Sequence, residues 1–285
     1  MRKPFVHILA VSIAAVVVGT SAHAATIYAL SPSAVGAGTL LRFDSATPAS
    51  VTPLVITGTS TPIVDIDFYP VNGVLYGIAS NGNTFGIDTA TGLATLRVTP
   101  LTALSNITDM DFNPAADRMR LFGDTDRNYR MVPDVVTGAA ATPGTVLDDG
   151  TFTDTARQLV SSAYSNNFDG ATATTLFSID TTQDALLSHT GGPEFNGTTQ
   201  VGPLGVAVGT AVGFDIGQDG VAYLSNGNNF YTVNLTTGSA TLVGVIGGAT
   251  GAPVTSIAAQ AVPEPSTALL GLLGLGLLAR RRRTA

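Results

Sequence analysis

The chain has 285 residues, 13 Lys or Arg against 20 Asp or Glu, and neither cysteine nor tryptophan. Without thiols, cysteine nucleophiles, thiolate metal sites and disulfide staples are excluded, so the fold rests on its core. Residues 25–265 keep seven arginines, no lysine, all 20 acids and one histidine, His189; a formal charge of −13 repels nucleic acid and anionic lipid, and a histidine-based zinc cluster is excluded.

At the N-terminus, Arg2 and Lys3 precede an apolar run from Ile8 to Val18, and "AHA" at Ala22–Ala24 supplies small residues for cleavage. This order reads as a secretory signal peptide over 1–24, helical in the membrane, with the Sec translocon and signal peptidase as its partners.

The body, 25–260, shows short alternating apolar runs punctuated by Gly, Thr and Asp, and no helical period. Five segments align: "TLLRFDSATPAS", "NTFGIDTATGLA", "NYRMVPDVVTGAA", "TLFSIDTTQDAL" and "NFYTVNLTTGSA". Their anchors are Asp44, Asp88, Asp134, Asp180 and Asn234, spaced by 44, 46, 46 and 54 residues. Asp or Asn at a strand end caps the following turn, and Gly92, Gly138 and Gly238 supply positive φ, so each segment predicts an outer hairpin.

A second element precedes three of them: "VDIDFYP", "ITDMDFNP" and "AVGFDIG", with Asp67, Asp111 and Asp215 in one shared place. Each is followed by another apolar strand, giving about four strands per 40–50 residues, the size of a propeller blade. In the fourth unit "LVSSAY" takes the first-strand place without an acid. "VTSIAAQ" near the C-terminus is expected to pair with "TIYALS" near the N-terminus and close the ring. The expected fold is all-β, a five-bladed β-propeller closed by N- and C-terminal strands; a two-sheet sandwich or a solenoid is the rival.

The stretches "DIDFYPVNGVLYGI", "DMDFNPAADRMRLFGDTDRNYRMVPDVVTG" and "SAYSNNFDGATATTLFSID" resemble the secreted bacterial domain of unknown function numbered 4394 across nearly the whole body. The resemblance implies a propeller-like extracellular module and assigns no activity.

Three groups of residues are candidates for chemistry. Inner strands border a propeller's channel, so Asp67, Asp111 and Asp215 are expected to form an acidic ring there. Such a ring either holds a cation, Ca²⁺ first because it accepts carboxylates in loose geometry, or caps neighbouring backbone amides. No cofactor is otherwise required. Arg118, Arg120, Arg127 and Arg130 fall within 13 residues among Asp117, Asp124 and Asp126; they read as an anion clamp or as an ion-pair lattice. "DDGTFTD" at Asp148–Asp154 reads as a solvated acidic turn, lacking the ligand spacing of a calcium loop. His189 alone supplies no triad, and acids that recur by repeat argue for structure before catalysis. No catalytic residue is assigned. The expected role is a non-enzymatic binding or scaffolding module linked to exopolysaccharide, with a carboxylate-dependent glycan hydrolase and a calcium-stabilised adhesin as alternatives.

The C-terminus carries "VPEP" at Val262, Pro263, Glu264 and Pro265, an apolar segment over 266–279 and four arginines, Arg280, Arg281, Arg282 and Arg283. As a helix the 12 residues from Ala268 to Ala279 span about 18 Å against roughly 30 Å of hydrocarbon, a marginal crossing. The three-part order of 261–285 resembles a PEP-CTERM sorting signal. That resemblance implies recognition by an exosortase in the inner membrane of a Gram-negative, exopolysaccharide-producing bacterium. Cleavage near Pro263–Pro265 would then deliver the body to the cell surface or the extracellular matrix.

Overall fold

The computed structural model describes residues 24–33, 36–135, 141–248 and 252–260, and within them every regular element is a β-strand. Residues 1–23 of the signal segment, Ala22 among them, and the sorting segment from 261 onward with Val262 to Pro265 and Arg280 to Arg283, lie outside the described residues; Ala24 is the first residue described.

Twenty strands follow one another. The first three are β1 (Thr26–Ser31), β2 (Thr39–Asp44) and β3 (Thr52–Val55). The second group is β4 (Ile63–Phe68), β5 (Leu75–Ala79), β6 (Thr84–Ile87) and β7 (Ala94–Val98). The third is β8 (Ile107–Asn113), β9 (Arg118–Gly123), β10 (Arg127–Met131) and β11 (Val146–Thr151). The fourth is β12 (Leu159–Tyr164), β13 (Leu176–Asp180), β14 (Ala185–Thr190) and β15 (Gly197–Pro203). The last five are β16 (Val212–Ile216), β17 (Ala222–Asn226), β18 (Asn229–Val233), β19 (Ala240–Val245) and β20 (Ser256–Gln260).

These make five antiparallel four-stranded sheets, β20-β1-β2-β3, β4-β5-β6-β7, β8-β9-β10-β11, β12-β13-β14-β15 and β16-β17-β18-β19, numbered here as blades 1 to 5. The architecture is a five-bladed β-propeller. Each inner strand, β4, β8, β12, β16 and β20, touches the inner strands on both sides, in cyclic order. Blade 1 is assembled from both ends of the body: β1 pairs with β20 from Thr26↔Gln260 to Leu30↔Ser256.

Burial follows radius. All five residues of β16 are buried between blades, whereas most of β19, ATLVGV, is exposed at the rim. Apolar packing lies between blades: Tyr28, Leu30 and Leu40 of blade 1 pack with Ile66, Phe68 and Leu75 of blade 2. The same arrangement recurs at the other interfaces.

Four of the five anchors stand at the third-to-fourth strand hairpin. Asp88 accepts from the amides of Ala90 and Thr91, and Asn234 from those of Thr236 and Thr237; Gly92 and Gly238 complete these turns at φ +76° and +81°. The fifth does not. Asp180 ends β13, the second strand of blade 4, so the fourth aligned segment is shifted inward by one strand. The cause is chemical: the Asp–Thr–Thr turn works equally well at either hairpin, so the turn signature does not report radius. "DDGTFTD" also differs from expectation, because its first four residues belong to the rim strand β11, paired with β10.

Candidate binding site at the propeller axis

The inner strands present two registers of side chains to the axis, two residues apart and hence about 6.5 Å along the strand. The first register consists of Asp65, Asp109, Ser161, Gly213 and Ser256; the second consists of Asp67, Asp111, Ala163, Asp215 and Ala258. The equivalence rests on hydrogen bonds that run from blade to blade. Asp65 accepts from the Met110 amide (2.5 Å), Asp109 from Ser162 (3.0 Å), Ser161 Oγ from Phe214 (3.0 Å) and Ser256 Oγ from Ile66 (3.1 Å). In the second register Asp67 accepts from Phe112 (3.0 Å), Asp111 from Tyr164 (3.2 Å) and Asp215 from Ala259 (2.6 Å). Each inner strand thus caps backbone donors of the next, which its own sheet cannot satisfy. Gly213 interrupts the first register because a Cβ there would lie 2.5 Å from the Ile257 nitrogen; β16 and β20 touch backbone to backbone.

All five aspartates are buried. Burial, reinforced by a neighbouring carboxylate, pushes Asp65, Asp67 and Asp111 well above the usual carboxylate range. Burial raises Asp109 to about 7 and Asp215 to about 6. One oxygen each of Asp67, Asp111 and Asp215 lies within 4.8 Å of the other two. The expected acidic ring therefore exists, and its members also cap backbone amides. The serines were not singled out in the sequence. Their signal is the alignment of "LVSSAY" and "VTSIAAQ" with "VDIDF", which puts Ser161 and Ser256 in the place of Asp65.

At the N-terminal ends of the inner strands the axis opens into a funnel of about 260 Å³. Every blade contributes: Val64, Thr108, Val160, Val212 and Thr255 stand at or beside the starts of β4, β8, β12, β16 and β20. Asp124, Asp126, Gln158 and Thr210 add polar groups to the wall. Burial also raises the carboxyl of Asp126. At the opposite end lies a small cavity of about 50 Å³, walled by Phe68, Tyr69, Asn167, Gln218 and Ala259 among others. A larger groove of about 440 Å³ runs along the outer hairpin of blade 2, away from the axis.

The four arginines do not converge on one open site. Arg120, only 1% exposed, donates to Asp149, Asn128, Tyr164 and the carbonyls of Pro193 and Glu194. Arg130 makes a two-pronged contact with the same Asp149, Arg127 pairs with Asp148, and Arg118 donates to the Asp117 carbonyl. His189 is buried between Ser178 and the Phe195 carbonyl, and burial, with Arg120 nearby, lowers it to about 4. It is a neutral core residue at ordinary pH.

No curated protein matches the chain. A protein of unknown function from Bacteroides thetaiotaomicron is 13% identical with a TM-score of 0.49; the match covers 85% of this chain and 66% of that one. A candidate 6-phosphogluconolactonase from Bacteroides uniformis is 13% identical with a TM-score of 0.44, over 78% and 82%. The WD40 domain of Toxoplasma gondii coronin is 16% identical with a TM-score of 0.38, over 79% and 58%. None of them carries a function to this chain. The family is decided by residues 39–258, which match the Domain of unknown function (DUF4394); the chain belongs to that family. Residues 261–283 match the PEP-CTERM protein-sorting motif, which marks an exported protein processed by an exosortase and sorted to the cell surface.

Proposed function

We propose that this DUF4394 member acts outside the cell as a non-catalytic binding propeller that holds a hydroxyl-rich ligand, the producer's own exopolysaccharide, in the axial funnel. Removal of 1–24 and cleavage near Pro263–Pro265 release the body, 25–260, for that role. The observation that carries the reading is the funnel itself, to which all five blades contribute. Threonine and glutamine groups beside valines suit a sugar, which presents hydroxyls at its edge and C–H groups on its face. The acidic body disfavours an anionic polymer at this mouth and favours a neutral or amino sugar.

A second reading is a carboxylate-dependent glycan hydrolase, favoured by one observation: Asp124 and the raised Asp126 share the funnel wall. Retention and turnover on the producer's polysaccharide separate the two. Thr210 is exposed on the funnel wall, so Thr210→Trp fills the space without touching the core. Retention should fall at least about tenfold, the loss of roughly 1.4 kcal/mol or more, with an unchanged melting temperature. Retention unaffected by the plug removes the funnel from consideration, and turnover lost in Asp126→Asn moves the protein to the hydrolase reading.

A further inference from the structure

The second register of the axis contains an arrangement that backbone capping leaves incomplete. Asp67 Oδ2 accepts from Phe112, but Asp67 Oδ1 is buried and has no hydrogen-bond partner. Asn167, 7% exposed, stands at the same end of the axis: its Nδ2 donates to the carbonyl of Ile216, the residue after Asp215. Its Oδ1 is likewise buried without a donor. Asn167 walls the 50 Å³ cavity together with Phe68, which follows Asp67, and Ala259, which donates to Asp215. Two orphaned oxygens, one on Asp67 of the acid ring itself and one on Asn167, are acceptors lacking an electropositive partner. Such atoms are costly to bury unless something satisfies them.

We infer that Asp67, Asp111 and Asp215 bind a hard divalent cation of the calcium class on the propeller axis, independently of any ligand in the funnel. Three features of the site fit this group. The carboxylate oxygens lie within 4.8 Å of one another, the separation of opposite points on a sphere of radius roughly 2.4 Å, which is a calcium–oxygen distance. The donors are all oxygen, which selects a hard ion over zinc or copper. The two remaining positions of the register, Ala163 and Ala258, present only methyl groups, and the cavity beside Asn167 has volume for a coordinating water. Calcium is preferred to magnesium because backbone amides already hold one oxygen of Asp67, one of Asp111 and both of Asp215, leaving an irregular donor set that an octahedral ion does not accept. The cation's role is to tie blades 2, 3 and 5 together where their inner strands meet.

The test uses the exported protein, stripped with EDTA and titrated with calcium chloride by calorimetry, with melting followed in parallel. One calcium should bind per chain. At calcium a hundredfold above Kd the melting temperature should rise by about 5–10 °C. Asp67→Asn and Asp111→Asn keep an acceptor for the capped amides and should still melt cooperatively, with calcium affinity reduced at least about tenfold. Asp124→Asn, in the funnel, should bind calcium like the parent. The inference is overturned if the parent protein binds no stoichiometric calcium, so that protons alone neutralise the axis. It is equally overturned if sodium chloride of matched ionic strength gives the same shift, or if both axial variants keep the parent's affinity. The parent titration decides the matter even if a variant fails to fold. Polysaccharide retention measured on the same samples separates this site from the funnel: calcium binding lost with retention intact leaves the funnel reading standing.

Discussion

The interface between blades 1 and 2 and that between blades 3 and 4 solve the same packing problem with different chemistry. The first is a cluster of 14 buried apolar residues among those described, including Leu30, Leu40, Ile66 and Phe68. The second has four, Phe122, Phe152, Tyr164 and Leu176, and is filled out by the Arg120 network and the 193–196 loop of blade 4. Asn128 donates to the Glu194 carbonyl (2.6 Å), Asn196 donates to the Asp149 carbonyl (2.5 Å), and the Thr153 amide donates to Asn196 (3.0 Å). The apolar seam is tolerant of exact shape, since dispersion and burial have no direction. The polar seam is demanding, because each partner removed leaves another buried group unsatisfied.

The sharpest way to break this contrast is Arg120→Met. It strips donors from Asn128, Tyr164 and two carbonyls, and should cost about 3–5 kcal/mol, seen as a lowered midpoint in urea. Replacing Asn128 and Asp149 by leucine in the same background should recover part of that loss if the network serves specificity more than stability. In the apolar seam Leu40→Ala should cost about 3 kcal/mol through lost burial and a residual cavity, with no dependence on pH between 4 and 7.

The polar seam should respond to acid. His189 packs against Phe122 and Phe152 there, and its folded pKa of about 4 lies below the ordinary 6.5. Between these values the unfolded chain binds the proton and the folded one does not. Stability from neutral His189 is thus fully present above about pH 6.5 and is lost as pH falls toward 4. The difference in unfolding free energy between the parent and His189→Gln should shrink by about 3 kcal/mol over that window. A difference that stays flat would mean that the imidazole is already protonated in the fold. The smallest effect belongs to the rim, outside both seams: Asn234→Ala removes two exposed turn hydrogen bonds and should cost less than about 1 kcal/mol.

Much of this was legible in the chain. Recurrent Asp-Phe strands and Asp- or Asn-capped hairpins announced blades of about four strands, and "VTSIAAQ" and "TIYALS" announced their pairing, because strand alternation and turn chemistry are local. The acid ring was legible as well, since Asp67, Asp111 and Asp215 hold one place in a repeated strand. The fourth blade was misread at Asp180, because its turn carries the same residues whichever hairpin it closes. The Arg cluster was ambiguous between anion clamp and ion-pair lattice, because a guanidinium reads the same in sequence whether it faces solvent or a buried Asp149.

Local pattern therefore decided strand content, the five-fold repeat and the delivery signal, all of which depend on residues near one another in the chain. Tertiary structure alone decided how closely Asp67, Asp111 and Asp215 approach one another, where Arg120 finds its partners and where the funnel opens. Many of those contacts join residues far apart in the chain, up to 190 positions, and separations of that kind follow only from how the ring closes.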